Sequence, residues 1–99
     1  MAVLYITEFS QPAIFNQVVP VGLEPGTDQT VAISGTSAQS SALKNNTQLV
    51  RLETDAICSI AFGANPTATT GNRRMAANTS EYFGVPLSSG YKIAVITNT

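Results

Sequence analysis

The side chains able to do chemistry in this chain are few and scattered. Among 99 residues there are six Asp or Glu, five Lys or Arg, one Cys and no His. Without His the commonest general base and metal ligand is missing. A Ser-His-Asp or Cys-His nucleophilic site is therefore excluded. Glu53 and Asp55 lie two apart and would share a strand face. At a strand end that spacing suits a calcium ion or an acid pair, although a solvated turn gives the same pattern. Cys58 is alone, so it makes no intrachain disulfide and has no Cys or His partners for zinc. Its place on the apolar side of a strand reads as a buried core thiol. No phosphate-cradling glycine motif occurs. The Asn-x-Ser/Thr triplets at Asn45 and Asn78 are expected by chance in a chain this rich in Asn, Ser and Thr. The expectation is no enzyme, no cofactor and no metal.

Two other groups suit recognition. Arg73-Arg74 is the only cationic doublet, and arginine is enriched at interfaces. Tyr82, Phe83 and Tyr91 could line an aromatic patch for a sugar or a partner, or could pack in the core.

The length is that of one domain, residues 1–99. The charged fraction of 11% is low for a water-exposed domain. Neutral polar residues fill the gap, as expected of a β domain or of a surface that meets other protein. A formal net charge of −1 offers no field for nucleic acid. No apolar run approaches a membrane span. The N-terminal residues lack the basic and long apolar regions of a signal peptide, which points to synthesis in a cytoplasm.

Period-two alternation places the strands. Within 47–68, Val50 and Leu52 alternate with Leu49, Arg51 and Glu53. Then Cys58, Ile60 and Phe62 alternate with Ile57, Ser59 and Ala61. Thr54-Asp55 between them reads as a short hairpin turn, and Gly63, Asn65 and Pro66 stop the second strand. Val3 to Phe9 is apolar on both sides, with Val3, Tyr5 and Phe9 on one of them. It is either a central strand or part of an oligomer contact, so the segment 1–20 is a candidate for inter-subunit contacts. Ala13 to Pro20 reads as extended, and Pro25-Gly26 as a tight turn. Thr30 to Ser34 is the next strand. The polar stretch 35–46 reads as a loop, an edge strand or, less well, a short helix over 37–43. Residues 67–74 read as an exposed, mobile loop. Arg74 to Ala76 and Tyr82 to Val85 are short strands. Ser88-Ser89-Gly90 reads as a hairpin-like connection into Tyr91 to Thr97, where Ile93 and Val95 share a face. Seven to nine short strands without a helix predict an all-β, antiparallel β-sandwich or jelly roll. Its core would be Val50, Leu52, Cys58, Ile60, Phe62, Ile93 and Val95.

From Leu49 to Thr97 the layout "VRL", "IAFGANPTAT", "RMAANTSEYFGV" and "GYKIAVI" resembles small structural proteins of tailed bacteriophages, the capsid decoration or cement proteins. The resemblance implies a virion protein on the outside of the head that binds the major capsid protein and bridges its subunits. It also implies a homodimer or homotrimer, and it involves neither nucleic acid nor membrane. Candidate contact residues are Val3, Tyr5, Phe9, Arg73 and Arg74. The alternatives are another virion part, such as a head-fibre base, tail or baseplate module, or a small glycan- or peptide-binding β module.

Overall fold

Strands whose apolar side chains alternate need a second such layer to cover them. The chain supplies both layers. The computed structural model describes residues 2–10, 12–15, 19–22 and 26–99. Their strands are β1 (Val3–Phe9), β2 (Pro12–Phe15), β3 (Val19–Gly22), β4 (Thr27–Ala32), β5 (Ala38–Gln39), β6 (Leu49–Thr54), β7 (Cys58–Gly63), β8 (Arg73–Met75), β9 (Thr79–Gly84) and β10 (Lys92–Thr97). Sheet A has the order β4-β1-β6-β9, β2 pairs with β3 in a separate two-stranded sheet B, and sheet C has the order β5-β10-β7-β8. All pairings are antiparallel. The all-β sandwich expected from the alternation is therefore the fold, with eight strands in the two layers.

The core lies between the sheets. Leu4 and Ile6 on β1, Val31 on β4, and Val50 and Leu52 on β6 meet Cys58 and Ile60 on β7, Met75 on β8, and Ile93 and Val95 on β10. Each large apolar side chain buried here stabilises the fold by roughly 1.5–3 kcal/mol. Six of the seven expected core residues are in this cluster, and the seventh, Phe62, is half-buried against its edge.

The pairing of β6 with β7 corrects the sequence reading. The two strands are not a hairpin: β6 pairs with β1 and β9, whereas β7 pairs with β10 and β8. The chain between them is an arch from one sheet to the other. In a hairpin the apolar sides of both strands would look the same way. Here Val50 and Leu52 look at Cys58 and Ile60 across the core. The Thr54 hydroxyl holds the corner by donating to Ala56 O at 2.6 Å and accepting from Ala56 N at 3.1 Å. Alternation alone does not distinguish an arch from a hairpin, because both need the same pattern with a short break. The connection 85–91 is likewise a crossing between sheets, from β9 to β10. Frequent crossing is the winding of a jelly roll, not of a meander.

Smaller differences follow. Ala38–Gln39 is a two-residue edge strand, so the helix alternative over 37–43 is excluded. The extended segment from Ala13 is part of the β2–β3 hairpin. Pro25 of the expected Pro25-Gly26 turn lies outside the described residues, as does part of the segment 1–20. Asn78 and Ser88 adopt positive φ, 59° and 54°, at the tight turns before β9 and β10. Asn tolerates that conformation better than most residues.

Candidate functional site

The two outer faces of the sandwich are built differently. In the middle of sheet C three outward positions are small: Ser59 and Ala61 on β7, and Ala94 on β10. Small side chains let another backbone lie close, and the segment 64–72 does so. Gln39 Nε2 donates to Asn65 Oδ1 at 2.9 Å and to Pro66 O at 2.7 Å. Ser37 Oγ accepts from Ala68 N at 2.8 Å. Asn98 Nδ2 donates to Ser59 Oγ at 2.7 Å and to Thr70 O at 3.2 Å. Asn72 Oδ1 folds the end of the segment by accepting from Thr69 N at 2.7 Å. Ala94 and Ser59 are left 0% exposed and Ala68 2%. The stretch expected to be an exposed loop is thus a strap over sheet C. Pro66 and Ala68 are its buried residues, and Ala64, Asn65, Thr67 and Thr69 to Asn72 meet solvent.

Sheet A carries no such cover among the described residues. Its outward face presents Asp28 and Thr30 from β4, Tyr5 and Thr7 from β1, Arg51 and Glu53 from β6, and Ser80 and Tyr82 from β9. The register sets Tyr5 between Thr30 and Glu53, and Arg51 between Thr7 and Tyr82. Tyr5 and Tyr82 are 44% and 48% exposed. Arg51 donates to Ser80 Oγ at 3.1 Å and lies 3.9 Å from Glu53. Thr7 Oγ1 donates to Asp28 Oδ1 at 2.9 Å. The result is a flat, nearly neutral face with two phenol rings around an arginine. Tyr and Arg are the residues that most often carry protein recognition.

Where β9 and β8 border the gap between the sheets, Arg73 closes it. Its guanidinium lies 5.1 Å over the Phe83 ring and 3.9 Å from Glu81. Phe83 in turn tilts against Phe62 at 5.2 Å. Beside them a cleft of about 160 Å³ is lined by Phe62, Arg73, Phe83, Val85, Pro86 and Tyr91. The aromatic trio read from the sequence is therefore split. Phe83 and Tyr91 belong to this cleft, and Tyr82 to the open face of sheet A.

Glu53 and Asp55 border a shallow notch of about 300 Å³ with Tyr5, Thr54 and Asn78. Asp55 Oδ1 already accepts from Val3 N at 2.8 Å, which ties the arch to β1. No group of three or more His, Cys, Asp or Glu that would hold a metal exists among the described residues. Cys58 is 0% exposed. Burial pushes its thiol above the ordinary value of 9.0, the charge of Glu81 adds to that, and the hydrogen bond to Thr54 opposes it.

The expected contact residues do not form one patch. Tyr5 is on the open face and Val3 is half-buried at its end. Phe9 is 5% exposed, which corrects its assignment as a surface contact: it is on the side of Tyr5 and Thr7, and its ring lies against Gly26, where an added Cβ would come within 3.2 Å of it. Arg73 caps the cleft, and Arg74 donates from Nε to the Thr99 main-chain oxygen at 3.2 Å.

A buried carboxylate escaped the sequence reading. Glu8, 5% exposed, continues the inward series of Leu4 and Ile6. Its Oε1 accepts from Lys44 N and Thr47 Oγ1, both at 2.8 Å, and its Oε2 from Gln29 Nε2 at 3.1 Å. Gln29 Oε1 accepts from Ser41 N at 3.0 Å. These bonds clasp the polar stretch 41–47 to β1 and β4. The phase of Glu8 with Leu4 and Ile6 was the available signal.

No family model matches the chain, and neither a curated protein nor a solved structure does.

Proposed function

We propose that the chain is a structural virion protein that binds the outside of a phage capsid through the open face of sheet A and bridges neighbouring capsid subunits. The observation that carries the reading is the asymmetry of the sandwich. One face is sealed by the chain's own strap, while the other offers Tyr5, Tyr82 and Arg51, with the Arg51 charge already paired to Glu53. The resemblance of Leu49 to Thr97 to decoration proteins supplies the partner. Binding only the assembled shell would stabilise it by mass action, and several contacts per particle would add avidity. Purified protein is expected to co-sediment with expanded capsids and to raise their melting temperature, and Tyr5→Ala with Tyr82→Ala is expected to abolish both effects. Absence of binding at micromolar concentration overturns the reading.

The cleft between Phe62 and Tyr91 favours a second reading, a small glycan- or peptide-binding module. In that case Phe83→Ala removes binding on a glycan or peptide array, and Tyr5→Ala leaves it intact.

A further inference from the structure

We infer that the outer edge of β9 is a self-pairing edge, through which two copies of the chain join sheet A to sheet A about a twofold axis at Tyr82.

The phase of the ladder decides which groups face outward. In an antiparallel pair, residues alternate between those bonded to the neighbour and those that turn their main-chain groups away. Val85 N donates to Gln48 O at 3.0 Å, in register with Leu49 opposite Gly84. Thr79, Glu81 and Phe83 therefore bond to β6. Ile33 N donating to Ala2 O at 3.0 Å, two strands away, sets the same phase through β1. Ser80, Tyr82 and Gly84 are left with amides and carbonyls on the open side. This edge is six residues long and carries neither Pro nor Lys, and its one charge, the inward-facing Glu81, is already paired with Arg73 at 3.9 Å. The opposite edge, β4, has Asp28 among the residues that turn outward.

The β9 sequence is self-complementary about Tyr82. Antiparallel pairing there sets Tyr82 beside the second copy's Tyr82 on the outer face, Ser80 beside Gly84, and Glu81 beside Phe83 on the inner side. Arg73 already lies over its own Phe83. The second copy's Glu81 would therefore arrive under it, and each arginine would serve a carboxylate across the axis as well as its own. Thr79 of the second copy would stand opposite Val85, at the mouth of the apolar cleft. The ladder buries a strip instead of a whole face, so the dimer is expected to be reversible and micromolar. The inference goes beyond the capsid reading and needs no capsid for its test.

Native mass spectrometry and sedimentation equilibrium on the purified protein are expected to show a dimer forming as concentration rises from micromolar to millimolar. Tyr82→Pro removes an outward N–H together with the exposed phenol ring, changes that an edge strand tolerates, and is expected to leave a folded monomer. Glu81→Arg is expected to weaken the dimer by about tenfold or more. Adding Arg73→Glu to it is expected to restore pairing, a rescue that a purely structural role for Glu81 would not give. A monomer at millimolar concentration overturns the inference. So does a dimer that survives Tyr82→Pro, or a double exchange that fails to rescue.

Discussion

The strap-covered face of sheet C and the bare face of sheet A are made from the same kind of strand, yet they behave as interior and exterior. The difference lies in the size of the outward side chains. Ser59, Ala61 and Ala94 leave room for a second backbone, and Gln39, Ser37 and Asn98 offer amides and a hydroxyl that hold it there. On sheet A, Tyr5, Arg51 and Tyr82 stand too tall for such a cover, and Arg51 bonds to Ser80 and pairs with Glu53 on its own face. A β-sandwich can thus be closed on one side by its own loop and left available on the other. Exposure of a strand position cannot be judged from its place in the alternation alone.

The contrast is open to direct attack. The largest effect is expected at Ala94, which faces outward but is sealed. Ala94→Asp buries an unpaired charge and should cost about 3–5 kcal/mol in urea unfolding; a loss below about 1 kcal/mol would mean that the strap is no roof. The core beneath sets the scale, since Leu52→Ala should cost about 2–5 kcal/mol. Cutting one anchor is milder. Gln39→Ala strips Pro66 O of its partner and should cost about 1–2 kcal/mol, with faster hydrogen exchange at Ala68. A pH titration probes the interior from another side. Because the Cys58 thiol is raised in the folded protein, the unfolded chain loses that proton first as pH rises. Stability is therefore expected to hold below pH 9.0 and to fall above it, and Cys58→Ala should flatten that decline. The smallest effect is expected on the bare face, where Tyr5→Ala or Tyr82→Ala should change unfolding by no more than about 0.5 kcal/mol.

Much of the layering was legible in the chain itself. The alternation in Val50, Leu52, Cys58, Ile60, Ile93 and Val95 is a direct imprint of a dry interior on one side of a strand. What alternation does not encode is which strand lies next to which. Thr54-Asp55 breaks the pattern equally well for a hairpin and for an arch, and the choice is made by long-range partners, β1 and β10. The strap was missed because Thr67 to Thr70 lacks large side chains, which in isolation looks like a solvated loop. The burial of Pro66 and Ala68 depends on the small Ser59 and Ala94, the latter far away in sequence. Glu8 was hidden by its charge, although its position among Leu4 and Ile6 marked it as internal. The candidate surface was only partly legible. Tyr5 and Arg73 were singled out from residue type, whereas Arg51, Glu81 and the role of Tyr82 emerge only from the register.

The β6–β7 arch also has a consequence in time. Neighbouring segments of this chain seldom become neighbours within a sheet, so few local hairpins are available to nucleate the sandwich. β6 must find β1, from which it is separated by the whole β2–β5 region, and β7 must wait for β10, the last strand. Such distant closures cost loop entropy before any contact offsets it. The expected folding time is accordingly that of slow β proteins, roughly milliseconds to seconds. During that interval the chain exposes unpaired strands to its neighbours, a hazard that grows with concentration.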